Sequence, residues 1–195
     1  MPRRTAKNVS ERIHNFGAGP AVLPLSVVQA VGDALPNLKD SGFGLCEISH
    51  RSDTFQSVVD SAMGRVRRVL SIPEDYTVLF LQGGASLQFY MTPLNILRDG
   101  QQADYLITGG WAKKALKEAG RVGDAIAIWD DSENGFKSVP SDGDYTVRDD
   151  AAYVHYTSNN TLYGTQYHHL PNSGGKPRIL DASSDIAGVP IDVDA

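Results

Sequence analysis

The chain has 195 residues, 41% of them hydrophobic, and a formal net charge of -5 at pH 7. This is enough apolar material to bury a substantial core, while the acidic balance excludes a basic nucleic-acid footprint. The single cysteine, Cys46, excludes an internal disulfide and a multi-cysteine zinc site. No run approaches the about 18 apolar residues of a membrane span, and the basic stretch Met1 to Ser10 has no apolar segment behind it as a secretory signal has, so a soluble cytoplasmic protein is expected.

In chain order, residues 1–14 read as an arm and Asn15-Phe-Gly-Ala-Gly-Pro-Ala-Val-Leu-Pro24 as a Gly/Pro-rich irregular segment. Apolar residues at Leu25, Val28, Val31 and Leu35 predict a helix over 25–38 that Pro36 ends or kinks. Ser41 to Arg51 reads as a loop that becomes extended and ends on His50-Arg51. Ser52 or Asp53 then caps a second helix whose apolar face carries Phe55, Val58, Val59, Ala62, Val66, Val69 and Leu70; the basic cluster Arg65-Val-Arg67-Arg68 reads as its solvated face.

Tyr76-Thr-Val-Leu-Phe-Leu81 carries the best strand signal in the chain, a short β-branched and aromatic run behind the turn-former Pro73. It feeds Gln82-Gly-Gly-Ala-Ser86 and a helix from Leu87 to Leu97. Gly83 and Gly84 can take positive φ and leave N–H groups uncovered where the helix begins, a favourable place for a phosphate or else an ordinary turn. Further strands are predicted at Ala103 to Thr108, Ala125 to Trp129 (buried), Ala152 to Thr157 and Pro177 to Asp181. A helix over 112–119, capped by Gly120, follows the first of them. Residues 130–150 read as a polar surface excursion, and residues 158–164 as a polar loop.

Strands separated by helices predict an α/β fold, a mainly parallel sheet flanked by helices, with ligands at the carboxyl ends of the strands. Those ends carry Gly83 to Ser86, Trp111, His155 to Thr161, and Asp181. Trp111 is either a packing residue or a platform for a flat ring. Thr161 is either a loop hydroxyl bonding its own backbone or a ligand donor. Asp181, a carboxylate closing a buried strand, needs a cation or donors, from a ligand or from the protein. A phosphate cradle, a stacking ring, a hydroxyl and a buried carboxylate facing a ring nitrogen together suit pyridoxal 5'-phosphate, whose pyridinium such a carboxylate keeps protonated. The spacing Gly83-Gly-Ala-Ser-Leu-Gln88 matches neither the Gly-x-Gly-x-x-Gly of dinucleotide sites nor Gly-Lys-Ser/Thr of triphosphate loops.

These residues resemble the phosphoserine aminotransferase family, class V aminotransferases of fold type I. The motifs that carry the likeness are Asn15-Phe-Gly-Ala-Gly-Pro-Ala-Val-Leu-Pro24, Glu47-Ile-Ser-His-Arg51, Phe80-Leu-Gln-Gly-Gly-Ala-Ser-Leu-Gln-Phe89, Pro93-Leu-Asn-Ile-Leu97, Ala103-Asp-Tyr105, Gly110-Trp111-Ala112, His155-Tyr156, Asn159-Asn-Thr-Leu-Tyr-Gly164, Asp181-Ala-Ser-Ser184 and Pro190-Ile-Asp-Val193. The resemblance implies amino transfer between glutamate and 3-phosphohydroxypyruvate in serine biosynthesis, with a pyridoxine-pathway side activity. It implies a homodimer, too. Carried over, Ala85 and Ser86 would bind the cofactor phosphate, Trp111 would stack on its ring, Thr161 would bond near its 3-oxygen, and Asp181 would pair with the ring nitrogen. Arg51 would hold the substrate carboxylate, with His50 near the substrate phosphate.

The family's Schiff-base lysine lies in Gly-Ala-Gln-Lys shortly after Pro-Ile-Asp-Val, beyond Ala195, and none of the seven lysines present stands in its place. The expectation is therefore an amino-terminal arm and Gly/Pro segment (1–24) and an incomplete cofactor-binding large domain (25–195), without the carboxyl-terminal domain and inactive alone. Two other readings stay open: another class V aminotransferase, and a non-catalytic cofactor- or phosphate-binding fragment.

Overall fold

The computed structural model describes residues 12–193, so most of the expected arm, residues 1–11, lies outside the described residues. The chain divides into two compact units, Met1–Val59 and Asp60–Ala195. In the first, residues 12–24 are irregular as expected, and α1 runs Leu25–Ala34, stopping short of Pro36. Its predicted apolar face, Val28, Val31 and Leu35, stays exposed. A single 3-10 turn at Leu45–Glu47, with Gly44 N donating to Glu47 Oε2 at 2.9 Å, stands where an extended stretch was expected. The short carboxylate link closes the turn before a strand can develop. Helix α2, Asp53–Val69, starts on Ser52, whose Oγ accepts from Phe55 N at 3.2 Å.

In the second unit, α3 spans Gly84–Ile96, β1 Gln102–Ile107, α4 Gly110–Ala119, β2 Asp124–Asp130 and β3 Ala151–Thr157. A two-residue hairpin follows, β4 Asn159–Asn160 against β5 Thr165–Gln166, and β6 is Arg178–Asp181. The main sheet has the order β2-β1-β3-β6, and all its pairs are parallel. β1 and β3 are the two central strands, and their residues are almost all buried. On one face Tyr105, Ile107 and Tyr153 meet Ala112, Ala115 and Ala119 of α4 and Phe89 of α3. The three alanines, spaced along one side of α4, let the helix backbone approach the sheet closely. Leu106, Val154, Tyr156 and Tyr167 form the opposite layer, covered by Val139, Tyr145 and Val147.

Two strand expectations change. Residues 125–129 do lie in a strand, but β2 is an edge strand, and most of it is partly or fully exposed rather than buried. Residues 76–81, the strongest strand signal, form no strand among the described residues; Leu79, Phe80 and Leu81 are 66%, 59% and 57% exposed. Strand propensity is a preference for a pleated, half-buried surface, and without a neighbouring ladder it has nothing to act on. What the segment does have is an anchor at its start. Arg67 of the basic cluster is no purely solvated residue, since its guanidinium donates to the carbonyls of Pro73 and Tyr76.

The polar excursion after β2 also does more than cover surface. Arg148 within it donates from Nε to Asp104 Oδ1 at 2.6 Å and from its backbone N to Oδ2 at 2.9 Å. Asp104 sits fully buried in β1, where an unpaired carboxylate would be prohibitively costly. Among the described residues, no helix is long and apolar enough to cross a membrane.

Candidate functional site

Helix α3 begins earlier than expected, at Gly84 instead of Leu87, with Gly83 as its N-cap at φ +89°. That left-handed backbone suits glycine, and a Cβ on Gly83 would collide with the Leu87 side chain. The shift places Ala85 and Ser86 inside the first turn. Their N–H groups precede the first intrahelical donor, Leu87 N, which bonds Gly83 O at 3.3 Å, so they stand free with the positive helix end behind them.

Helix α4 starts on Gly109 and Gly110 directly after β1, which sets Trp111 at the carboxyl end of the sheet. Gly109 is required by a close approach: a Cβ there would run into the amide of Asn160. Asn160 is fully buried and donates from Nδ2 to Thr108 Oγ1 at 2.8 Å, while Thr165 Oγ1 donates to Thr108 O at 2.8 Å. These bonds hold the β4–β5 hairpin over the end of β1, and the hairpin turn presents Thr161. Trp111 Nε1 then donates to Thr161 Oγ1 at 3.4 Å, so two residues 50 positions apart meet.

Asp181 ends β6, aligned with Thr157 of β3. It is partly rather than fully buried, because β6 is an edge strand, and its Oδ1 accepts from Ser183 N at 3.1 Å and Ser183 Oγ at 2.5 Å. No hydrogen bond to its Oδ2 is found among the described residues. A cavity of about 220 Å³ is lined by Gly83, Gly84, Ala85, Ser86, Trp111 and Asp181, with Phe89, Asn159, Ser183 and Ser184 completing it. A second, of about 340 Å³, shares Ala85, Phe89, Asp181 and Ser183 and reaches His155.

His155, first of the strand-end run His155 to Thr161, has no role assigned from the sequence. It lies in the middle of β3, 4% exposed, with its ring stacked on Tyr105 at 4.7 Å between centroids and with Nδ1 unpartnered. Burial lowers its pKa to about 4 against a smaller opposing pull from Asp181, so the ring is neutral at pH 7. Beneath it, the Tyr105 and Tyr153 hydroxyls share a buried 2.8 Å hydrogen bond, and burial raises both phenol pKa values. No sequence signal distinguishes His155 from any apolar-strand histidine; only its register beside β6 brings it to the cavity.

The structure thus brings together Ala85, Ser86, Trp111, Thr161 and Asp181. His50 and Arg51 belong to the first unit, where both are exposed on the turn ahead of α2, with Arg51 N donating to Ser49 Oγ at 3.2 Å. Lys114 was not among the expected site residues, yet its Nζ donates to Ser86 Oγ at 2.7 Å.

Comparison with known proteins gives the same family as the motifs. The class V aminotransferase family matches residues 13–195. A phosphoserine aminotransferase from Desulfotalea psychrophila is 46% identical over 95% of this chain and 51% of its own length. The solved phosphoserine aminotransferase of Bacillus circulans subsp. alkalophilus superposes with a TM-score of 0.90 at 41% identity, covering 94% of this chain and 51% of that one. The PLP-bound phosphoserine aminotransferase of Trichomonas vaginalis gives 0.84 at 34% identity, over 93% and 54%. The chain therefore spans about half the length of the relatives it matches, and within that span it belongs to the class V aminotransferase family.

Proposed function

We propose that this chain is the amino-terminal part of a phosphoserine aminotransferase and that it forms most of one side of a pyridoxal 5'-phosphate site. The observation that carries this reading is the convergence of free α3 N–H groups, Ser86, Trp111 and Asp181 on one cavity, with Thr161 bonded to Trp111. The donor set fits the group: amides and a hydroxyl for a phosphate, an indole for a flat ring, a hydroxyl for a phenolic oxygen, and a carboxylate with an open oxygen for a protonated ring nitrogen.

When bound, the cofactor supplies an electron sink for the substrate Cα, whose proton is then removable. The chain's own residues bind and orient. Ala85 and Ser86 anchor the phosphate end through N–H groups and Oγ. Trp111, fixed by its indole bond to Thr161, offers a ring face, and Thr161 keeps its hydroxyl beside that face. Asp181, held by Ser183, keeps a proton on the ring nitrogen. His155, neutral at pH 7, adds no further positive charge to the cavity wall it shares with Asp181. Arg51 binds the substrate carboxylate with His50 near its phosphate, and residues 25–195 form the cofactor-binding large domain behind an arm of 1–24.

The substrates are glutamate and 3-phosphohydroxypyruvate, the setting is cytoplasmic serine biosynthesis with a contribution to pyridoxine synthesis, and the whole enzyme is a homodimer. The residues described account for binding the cofactor; the family resemblance implies an amine elsewhere that would hold it covalently and carry the Cα proton, so turnover by these residues alone is not expected. Equilibrium dialysis against pyridoxal 5'-phosphate tests the site. Asp181→Asn should weaken binding by on the order of tenfold, and unchanged affinity would sink the ring-nitrogen assignment. Stoichiometric borohydride fixation to one lysine, or phosphoserine formation by this chain alone, would overturn the claim that it does not turn over.

A further inference from the structure

Lys114 and Ser86 meet across the space between α3 and α4. The 2.7 Å bond from Lys114 Nζ ends on a neutral hydroxyl, and the same Nζ lies 5.5 Å from the centre of the Trp111 ring. Among the described residues, no carboxylate lies within ion-pair distance of Lys114. A full positive charge is thus directed at the hydroxyl beside which the free N–H groups of Ala85 and Ser86 also stand. Its helix neighbour Lys113 points elsewhere, over the Phe136 ring at 5.2 Å. Holding the Ser86 rotamer does not require a charge. An anion does: seated against the first turn of α3, it would receive backbone donors, a hydroxyl and an ammonium at once.

A second feature also points to a ligand. His155, 4% exposed, has an unpartnered Nδ1 and lines the adjoining cavity that shares Ala85 and Asp181 with the cradle. The cavity walls therefore offer the Asp181 carboxylate and the Ser86 hydroxyl, which the Lys114 ammonium contacts from beside the lining, with polar capacity left over at His155. That distribution suits a ligand carrying a phosphate and a basic ring nitrogen.

Resting on the cofactor site proposed above, we infer that Lys114 is a phosphate-binding residue of this chain, supplying the only side-chain cation of the cradle among the described residues and delivering it from α4 rather than from the glycine-rich turn itself. The indole of Trp111 beneath Nζ keeps the ammonium over the site when it is empty of anion, through the attraction of a cation for a ring face.

The test compares the full chain with Lys114→Gln, Lys114→Arg and Lys113→Gln, using equilibrium dialysis against pyridoxal 5'-phosphate, pyridoxal and inorganic phosphate. Lys114→Gln should lose at least about tenfold in affinity for pyridoxal 5'-phosphate and for phosphate, and change less than about twofold for pyridoxal. Lys114→Arg should recover most of the loss, and Lys113→Gln should match the unsubstituted chain. Thermal unfolding midpoints of the variants should lie close together, since Lys114 is partly exposed and has no carboxylate partner whose charge its loss would strand. An equal loss for pyridoxal and its phosphate, or no loss for either, would overturn the role of Lys114 while leaving the cradle in place. Borohydride trapping of pyridoxal 5'-phosphate on Lys114 would overturn it too, because the amine would then face the aldehyde end. If the unsubstituted chain binds pyridoxal as well as it binds the phosphate ester, the cradle reading fails and takes this role with it.

Discussion

Residues 76–81 and residues 102–107 both read as strands bounded by turns, the first the more apolar and β-branched and the second carrying Gln102 and Asp104, yet they have opposite fates. The second becomes β1, flanked by β2 and β3 and buried from its second residue onward. The first is extended chain with Leu79, Phe80 and Leu81 more than half exposed. Side-chain composition is not the difference. β1 has ladders on both edges, two covered faces and a buried carboxylate locked by Arg148, whereas among the described residues the run 76–81 is held at its first residue, by the Arg67 clamp, by Tyr76 N donating to Pro73 O at 3.3 Å and by Tyr76 Oη donating to Val193 O at 3.0 Å. A strand signal states what a segment needs from neighbours, and the neighbours decide.

The contrast can be broken most forcefully at Arg148. Arg148→Met leaves Asp104 without its counter-ion in a dry strand, with only the backbone N–H of residue 148 still donating to it, and should cost about 3–5 kcal/mol by chemical denaturation; a loss below about 1 kcal/mol would show that the ion pair does not secure β1. Leu106→Ala, which empties a fully buried site in the same strand, should cost about 2–5 kcal/mol.

His155 sharpens the comparison through pH. Its folded pKa, about 4, lies below the unfolded value of 6.5, so the unfolded chain takes up the proton first. The contribution of the neutral ring is full above pH 6.5, falls as pH drops towards 4 and levels off below that, a change of up to about 3 kcal/mol. His155→Phe should flatten the stability profile in that window relative to the unsubstituted chain; coincident profiles would refute the assignment. The smallest effect belongs to the exposed run, where Leu79→Ala should stay within about 0.5 kcal/mol. A loss comparable to that of Leu106→Ala would mean that the run is packed in solution.

Local chemistry made much of this molecule readable. β1, β3, β6 and α4 fall where periodicity and turn residues place them, and Gly83, Ser86, Trp111, Thr161 and Asp181 were all visible as unusual residues at element ends. Long-range pairings were not. Arg148 joins Asp104 across 44 residues, Lys114 joins Ser86 across 28, and Asn160 joins Thr108 across 52. None carries a local signature, because a surface arginine, a helix lysine and a loop asparagine look the same whether or not a partner awaits. The edge positions of β2 and β6 escaped for the same reason, since strand order is a property of the sheet. This is why Asp181 is less buried than expected.

The indole held between Thr161 and Lys114 also makes the site optically addressable. The chain has two tryptophans. Trp129 packs with the Leu106 and Val154 layer on the face opposite α4, whereas Trp111 is 40% exposed and lines the cradle cavity. With Trp129→Phe, the remaining emission would come from one ring whose surroundings change on filling the cradle. Quenching on titration with a flat, absorbing ligand would then report occupancy of this cavity alone, in a chain that needs no catalytic turnover to be read.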